Sequence, residues 1–466
     1  MGKLTFALYF GNRGFFPGEL IASARDEMKK AVESAGYDIM MLDSAKTRYG
    51  AVETVAEGKV YARFLKENEG KYDGVILCLP NFGDENGAIA ALRDCGVPIL
   101  IQAYPDEIGK MDFSRRRDAF CGKFSIMDVF CQYGLPFTVF EPHTVHPLSD
   151  VFTKQIHTFA AVCRVTKGMK RLTVGAIGAR TTLFKTVRYD ELTLQKYNIT
   201  VEALDLSEVL LRLNKLDKAS EKFKNKVKRL VEYTNFSCCP QNKIETLAGV
   251  SVVIDDIIEA YNLDCLAFRC WEEIEQLLGI SPCVLLSELN DRGFVAACEV
   301  DVLNAVAMQA LQLASEMPGI CLDWNNNYAD NPDKCILFHC GSTAQCYMTE
   351  KGEIVDHKMF SKSYGTGCGW GTNVGRIRPF EMTFASSKTE NGKLIFYTGQ
   401  GEFTSDTYDE DFFGCGGVAK IEGLQKKLIN IGKNGYRHHV SVTQGFYEAA
   451  IKEAFTTYLN YDLLDI

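Results

Sequence analysis

The first third of the chain alternates short apolar runs with longer amphipathic stretches: LTFALYF, ELIASARDEMKKAVESAG, YDIMMLD, a further helical stretch, then YDGVILCLP. Short runs rich in β-branched residues predict buried strands, and apolar positions recurring every third or fourth residue predict helices. The rhythm continues through ENGAIAALRDCG and VPILIQAYP, which predicts an open parallel sheet with helices on both faces. Residues 1–168 are expected to form this N-terminal α/β domain. After the basic turn KGMKR the rhythm restarts with LTVGAIG and ITVEALDLSEV, so a central α/β domain is predicted over 169–345. Within it, KLDKASEKFKNKVKRL has the spacing of a solvated surface helix and VSVVIDDIIEAYNLD reads as a helix, while DCLAFRC, CVLLSEL and FVAAC read as buried strands. From residue 346 the pattern changes to GTGCGWGTNVG, the alternating KLIFYTGQGEF and the cluster Gly414, Gly416 and Gly417. That predicts antiparallel strands with tight turns, a β-rich C-terminal domain over 346–466 closed by the helix GFYEAAIKEAFTTYL. The expected fold class is α/β, with two doubly wound, Rossmann-like domains followed by a β-rich one.

Composition narrows the function classes. A chain of 466 residues suits several domains, and 51 basic against 60 acidic side chains give a net charge of −9, so no electropositive face for nucleic acid is expected. Hydrophobic residues at 46% and charged residues at 24% are ordinary globular usage, which excludes a disordered chain. The 17 cysteines contain no C-x-x-C pair. Cys265 with Cys270 and Cys335 with Cys340 read as core residues rather than zinc ligands, whereas Cys238 and Cys239 lie in a polar stretch and are expected to be exposed. The opening run is broken at Asn12 and Arg13, as in a first strand rather than an export signal, and no run approaches about 18 apolar residues. A cytoplasmic protein without membrane association is expected.

Three residues stand just past predicted buried strands: Glu299 after FVAAC, Asp323 after GICL and His339 after CILF. The carboxyl ends of strands are where α/β sheets bind ligands. Two carboxylates and an imidazole make a mixed oxygen and nitrogen donor set suited to Mn²⁺, Mg²⁺, Fe²⁺ or Co²⁺. A further ligand is available from His438 or His439, which adjoin the strand-like VSV. Neighbours on a strand face opposite ways, so at most one of them points at a metal and the other is left to touch substrate. Asp301 reads as the N-cap of VLNAVAMQAL. The GAIGAR turn, with Gly175, Gly178 and Ala179, lacks the full G-x-G-x-x-G, and GTGCGWG runs into strand-like sequence, so no nucleotide cofactor site is assigned.

Taken in order along nearly the whole chain, GNRGFFPGEL, CLPNFGDEN, QAYPDEIGKMDFSRRRDAFCGKFS, EPHTVHP, GAIGAR with Arg188, ACEVDVLNA, LDWNNNY, LFHCG and HHVSV resemble the L-fucose isomerase and related-protein family. The family belongs to the fucose/arabinose isomerase superfamily and has a short branch similar to sulfoquinovose isomerases. The resemblance implies two α/β layers and a β-rich C-terminal domain. It also implies a homo-oligomer, trimer or hexamer, whose active site borrows N-terminal residues from a neighbouring subunit. The implied activity is a metal-dependent interconversion of an aldose and a ketose, an L-fucose-type deoxyhexose or sulfoquinovose, by proton transfer through a cis-enediol. The family's metal ligands fall on Glu299, Asp323 and the HH pair, with His439 favoured, and the expected metal is Mn²⁺. Glu299 and Asp323 double as catalytic base and acid, in an order the sequence leaves open. His339 occupies the place of a metal-binding histidine in related arabinose isomerases, and its role is also left open.

The expected monosaccharide contacts are Arg13, whose planar fork suits a sulfonate or the far end of the sugar, Trp324 as a stacking face, Asn325 and Asn326 as hydroxyl partners, and His438, with Arg188, His143 and His146 as weaker candidates. Two other readings compete: a non-catalytic sugar-binding protein that kept the α/β domains, and a metal-dependent aldolase using the same enediolate chemistry.

Overall fold

Apolar runs become parallel strands in the N-terminal part of the chain. In the computed structural model, which describes residues 2–181 and 183–466, strands β1 (Thr5–Phe10), β2 (Asp38–Met41), β3 (Gly74–Leu79) and β4 (Ile99–Ala103) pair in the order β2-β1-β3-β4. Parallel neighbours need crossovers, and helices Leu20–Ser34, Val55–Glu67 and Glu85–Leu92 lie between the strands in sequence. Two of these helices start where a side chain takes a free backbone N–H: Thr54 accepts from Glu57 and Asp84 from Gly87. One compact unit comprises residues 1–167 with 453–460, and the other residues 168–452 with 461–466. The expected final helix therefore divides. Glu448–Glu453 is α-helical and Ala454–Leu459 forms a π-helical turn, whose Tyr458 hydroxyl is 2.9 Å from Thr138 Oγ1 in the first unit.

The second unit holds two sheets. Strands β5 (Leu172–Ile177), β6 (Ile199–Leu204), β7 (Cys265–Phe268) and β8 (Val295–Cys298) form a parallel sheet in the order β6-β5-β7-β8. The charged segment is the helix Glu221–Tyr233, which buries Phe223, Lys226 and Leu230. CVLLSEL is not the expected strand: Cys283–Asp291 is a helix, buried from Cys283 to Asn290. A short apolar run covered on all sides carries no period that separates strand from helix. The other sheet has nine strands: β9 (Ile320–Asn327), β10 (Lys334–His339), β11 (Glu353–Asp356), β12 (Trp370–Arg376), β13 (Phe380–Glu390), β14 (Lys393–Phe403), β15 (Cys415–Lys420), β16 (His439–Gln444) and β17 (Asp462–Leu463). It starts upstream of residue 346, because β9 and β10 pair antiparallel with each other and with β16 and β15, respectively.

The helix Val302–Ser315 follows β8 and is buried along almost its whole length. The β-rich sheet holds it through polar side chains: Ser387 Oγ donates to Leu303 O at 2.8 Å and Ser441 Oγ to Asn304 Oδ1 at 2.8 Å. Among the described residues no helix is long and apolar enough to cross a membrane.

In β12, Gly371 has φ +128°, and a Cβ built there would overlap the Ser281 carbonyl oxygen. A side chain is excluded both by conformation and by space. Gly371→Ala is expected to cost about 2 kcal/mol or more, read as a lower midpoint in urea unfolding. An unchanged midpoint would contradict this packing.

Candidate active site

Glu299 is the first residue after β8, and it and Val300 both adopt left-handed backbone conformations, with φ of +59° and +56°. This is strained for any residue with a Cβ and more so for a β-branched one, at about 1–3 kcal/mol each, and it persists only where neighbours enforce it. The neighbours are identifiable. The Val300 N–H bonds Phe268 O at 3.2 Å and the Asp301 N–H bonds Cys298 O at 3.1 Å, while Trp271 Nε1–H donates to Glu299 Oε1 at 2.9 Å. The turn thereby holds the Glu299 carboxylate where Trp271 bonds one of its oxygens and His439 faces the other.

Sheet register supplies the other groups. In the antiparallel pairing of β16 with β9, His439 stands opposite Asp323, so both side chains share one face. His439 Nε2 lies 3.0 Å from Glu299 Oε2 and 3.5 Å from Asp323 Oδ1, so both carboxylates reach one imidazole nitrogen. Its other nitrogen is committed, because Nδ1–H donates to Asp301 Oδ2 at 2.8 Å. Asp301 does cap the following helix as expected, accepting from Asn304 N at 3.0 Å, and it also pairs with the buried Arg437. Burial opposes ionisation of Asp301, but the Arg437 charge and the His439 bond outweigh it and hold the carboxyl at about 2. Burial likewise opposes ionisation of Glu299, and His439 outweighs it, leaving the carboxyl lowered. For His439 burial favours the neutral ring, yet its bond to Asp301 and the Glu299 and Asp323 carboxylates beside it raise it to about 10.

These atoms fit a cation. Glu299 Oε2, Asp323 Oδ1 and His439 Nε2 are buried without a hydrogen-bond partner of adequate geometry among the described residues, although they lie at ion-pair distances from one another. Buried polar atoms left unpaired are costly, and two carboxylate oxygens with one imidazole nitrogen form the donor set of a borderline divalent metal. Donor atoms of Asp323, His438 and His439 all lie within 4.8 Å of one another, whereas Glu299 joins the site through the 3.0 Å approach of its Oε2 to His439 Nε2.

His339 is different. Its Nδ1 accepts the Cys340 N–H at 3.0 Å, so the neutral ring carries its proton on Nε2, which is buried and unpartnered. Cys321 clusters with His339 and His439, but burial pushes its thiol well up, keeping it protonated.

A cavity of about 640 Å³ opens beside these groups, with aromatic walls that include Phe184, Trp271, Phe338 and Phe360. Asn325, Asn326 and His438 line it with Glu299 and Asp323. The His438 ring is held neutral by burial and by neighbouring His439, and its Nε2 is 3.8 Å from Asp323 Oδ1. Trp324 corrects the expectation of a stacking face. It follows Asp323 on β9 and so turns to the opposite side, where it packs edge-on against Phe384 and its indole N–H reaches the Tyr397 hydroxyl at 3.2 Å. Arg188 is exposed and outside the cavity lining.

Arg13, His143 and His146 belong to the N-terminal unit and are not among the lining residues. There, Arg13 pairs with Glu85 and its Nε–H bonds Gly83 O at 2.9 Å. His143 Nε2 reaches Phe120 O at 2.9 Å, and His146 sits 3.5 Å from Glu27. Trp271, Arg437 and Glu275 are site residues that sequence reasoning missed. Only Arg437, beside the HH pair, carried a local signal.

Residues 7–170 match the family described as fucose/sulfoquinovose isomerase, N-terminal domain, and residues 337–466 match the L-fucose isomerase C-terminal domain. The chain belongs to the fucose isomerase-like family. Sulfoquinovose isomerases of Priestia aryabhattai and Priestia megaterium are each 22% identical to it over 336 residues, 71% of this chain and 73% of theirs. One from Alkalicoccus urumqiensis is 19% identical over 393 residues, 84% of this chain and 85% of its own.

Glu275 lines the same cavity and is 0% exposed, with no cationic partner and only the Ser281 hydroxyl as a side-chain hydrogen-bond neighbour. Burial first, then the charges of Glu273 and Glu272, push it up to about 8. The folded chain thus holds a proton that the unfolded chain releases above its ordinary value of 4.5. The associated stability is present below that value and is lost as pH rises through about 8. Glu275→Gln should therefore gain on the parent between pH 5 and pH 9, by on the order of 3 kcal/mol, in thermal unfolding at matched ionic strength. Parallel pH dependences for the two proteins would refute this assignment.

Proposed function

We propose that the protein is a metal-dependent aldose–ketose isomerase that moves a proton between C2 and C1 of a hexose-type sugar through a cis-enediol. The observation that carries this reading is that Glu299 Oε2 and Asp323 Oδ1, both buried, lie 3.0 Å and 3.5 Å from the buried His439 Nε2 at the edge of a cavity of about 640 Å³. Membership of the fucose isomerase-like family and the names of the sulfoquinovose isomerase relatives support it. Glu299, Asp323 and His439 are the residues that would hold the metal, for which Mn²⁺ suits the donor set. When bound, a divalent cation supplies Lewis-acid polarisation of the carbonyl oxygen and charge stabilisation.

The chain's own residues carry the remaining roles. One carboxylate of the Glu299 and Asp323 pair takes the proton from C2 and the pair returns a proton to C1. C1 is thereby reduced and C2 oxidised within one molecule, and no external electron carrier is consumed. His339 Nε2–H donates to a substrate oxygen as negative charge develops there. Asn325, Asn326 and His438 orient hydroxyl groups, and the aromatic walls exclude water. Asp301 keeps His439 in the tautomer that presents Nε2. The assembly belongs to the proposal too: a trimer or hexamer would cover exposed apolar side chains of the N-terminal unit such as Ile108 and Phe113, 98% and 92% exposed, and would bring Arg13 and His143 to a neighbour's site.

Incubation in heavy water with hexoses, 6-deoxyhexoses and sulfoquinovose tests this directly. Deuterium is expected at the carbon that receives the proton, with ketose as product, and chelation should abolish both until Mn²⁺ is restored. Glu299→Gln is expected to lower turnover by at least about a thousandfold in a folded protein. Full activity after chelation would end the proposal, a three-carbon product would indicate an aldolase, and sugar-dependent stabilisation without product would indicate a binding protein.

Two variants separate metal binding from chemistry. Asp301→Asn should weaken Mn²⁺ binding by about 10–100-fold. His339→Gln should leave Mn²⁺ affinity within about threefold while kcat falls by about 10–100-fold. A large loss of metal affinity in His339→Gln would make His339 a ligand instead.

A further inference from the structure

One wall of the cavity comes from a single short segment between two strands. Strands β11 and β12 pair antiparallel, with Asp356 opposite Trp370, and residues 357–369 form the loop that joins them. The neck of this loop is closed. The His357 N–H bonds Gly369 O at 3.0 Å, and the Asp356 carboxylate accepts from Ser361 Oγ at 2.6 Å, Gly367 N at 2.6 Å and Gly369 N at 2.8 Å. Beyond the neck, none of residues 358–368 is buried. Yet Met359, Phe360, Ser363 and Tyr364, on the helix Lys358–Tyr364, line the cavity. The Phe360 ring meets Trp271 edge-on at 6.5 Å, and the Tyr364 hydroxyl bonds the Glu272 carboxylate. A loop with a closed neck and no buried residue beyond it can open without disturbing the strands that carry it.

We propose that residues 358–368 are a lid over the active site. The helix pivots on Asp356, Gly365 and Gly367 absorb the change in backbone angles, and sugar enters and product leaves when Phe360 and Tyr364 swing away from Trp271 and Glu272. The isomerase reading supplies only the identity of the ligand as a sugar. In the observed, covering conformation Gly365 and Gly367 have φ of +101° and +90°. A Cβ would meet nothing within 4 Å at Gly365 and only Trp370 Nε1, at 4.0 Å, at Gly367. Glycine is therefore required at both by conformation and not by space. Closure also reaches the chemistry, because Trp271, against which Phe360 packs, donates to Glu299 Oε1. A lid closed over sugar excludes water from the carboxylates and holds the indole that positions Glu299. Lid and carboxylates belong to the same compact unit, so the gate works within one chain whichever neighbour completes the site.

The test uses the full-length protein loaded with Mn²⁺. It reads hydrogen exchange by mass spectrometry with and without hexoses, 6-deoxyhexoses, sulfoquinovose and their alditols, together with steady-state kinetics. At least one of these probes is expected to slow exchange of the 358–368 amides by about tenfold or more and to leave strands β5 and β6 unchanged. Gly365→Ala disfavours the covering conformation, so it should lower kcat/KM by about tenfold and remove most of that protection, with Mn²⁺ affinity within about twofold. Gly70→Ala, at another exposed glycine with φ of +82° and open space around it, in the N-terminal unit, should match the parent in both readouts. Should Gly365→Ala fail to fold, Tyr364→Phe, which removes the bond to Glu272, is expected to raise KM by about threefold or more and to weaken the protection. Three outcomes would each overturn the lid: no slowed exchange in 358–368 with any probe; Gly365→Ala, or Tyr364→Phe in its place, equal to the parent; or equal losses in Gly365→Ala and Gly70→Ala. Slowed exchange with no ketose formed would leave the lid standing, and the isomerase reading would be the one that fails.

Discussion

The hydrogen bond from His439 Nδ1 to Asp301 Oδ2, an oxygen that also accepts from Arg437, constrains the rest of the site. Asp301 also caps the helix Val302–Ser315, so one buried carboxylate fixes the start of a core helix, the ring orientation of His439 and the position of a guanidinium. Removing one partner of a buried ionic network strands the others, which typically costs about 3–5 kcal/mol. Local stability and site geometry therefore depend on the same atoms. His439 is left with one nitrogen, Nε2, to face Glu299 and Asp323, and this commitment distinguishes it from His339, whose Nδ1 is occupied by a backbone N–H.

The two carboxylates reach that nitrogen by different physical routes. Asp323 and His439 are cross-strand neighbours, so their meeting follows from sheet register, and a one-residue slip would turn them to opposite faces. Glu299 is delivered by two consecutive left-handed residues at the end of a parallel strand, a strained turn of the kind that collects at functional sites because the surrounding fold enforces it. Placing the site on strand ends and a capped helix, rather than on long loops, gives it rigid support.

Burial divides the acids of this cavity into opposite states. Glu299 has charged partners, His439 first, and is held ionised, whereas Glu275 has none and retains its proton up to about 8. The difference lies in what each carboxyl faces and not in residue type, a common way for one pocket to hold both a base and a neutral hydrogen-bond donor at neutral pH. The aromatic walls strengthen the effect by keeping water from both groups.

Much of the architecture was legible along the chain, because half-buried strands and amphipathic helices leave distinct periods. LTFALYF, YDGVILCLP, DCLAFRC and KLIFYTGQGEF all became strands, and Glu299, Asp323 and the adjacent histidines stood out as ionisable groups beside apolar runs. CVLLSEL was not legible, since burial on every side erased its helical period. The role of Trp324 was misjudged because adjacency in sequence places a strand residue on the opposite face from its neighbour.

Glu275, Trp271 and the second duty of Asp301 left no trace in any local pattern, because each depends on partners more than twenty residues away in the chain or on the absence of a cationic one. Residue order by itself determined which elements form and which side chains are chemically able to act. Only the tertiary structure decided which of them meet, since strand register, turn conformation and the lack of a nearby counter-charge are properties of the packed chain.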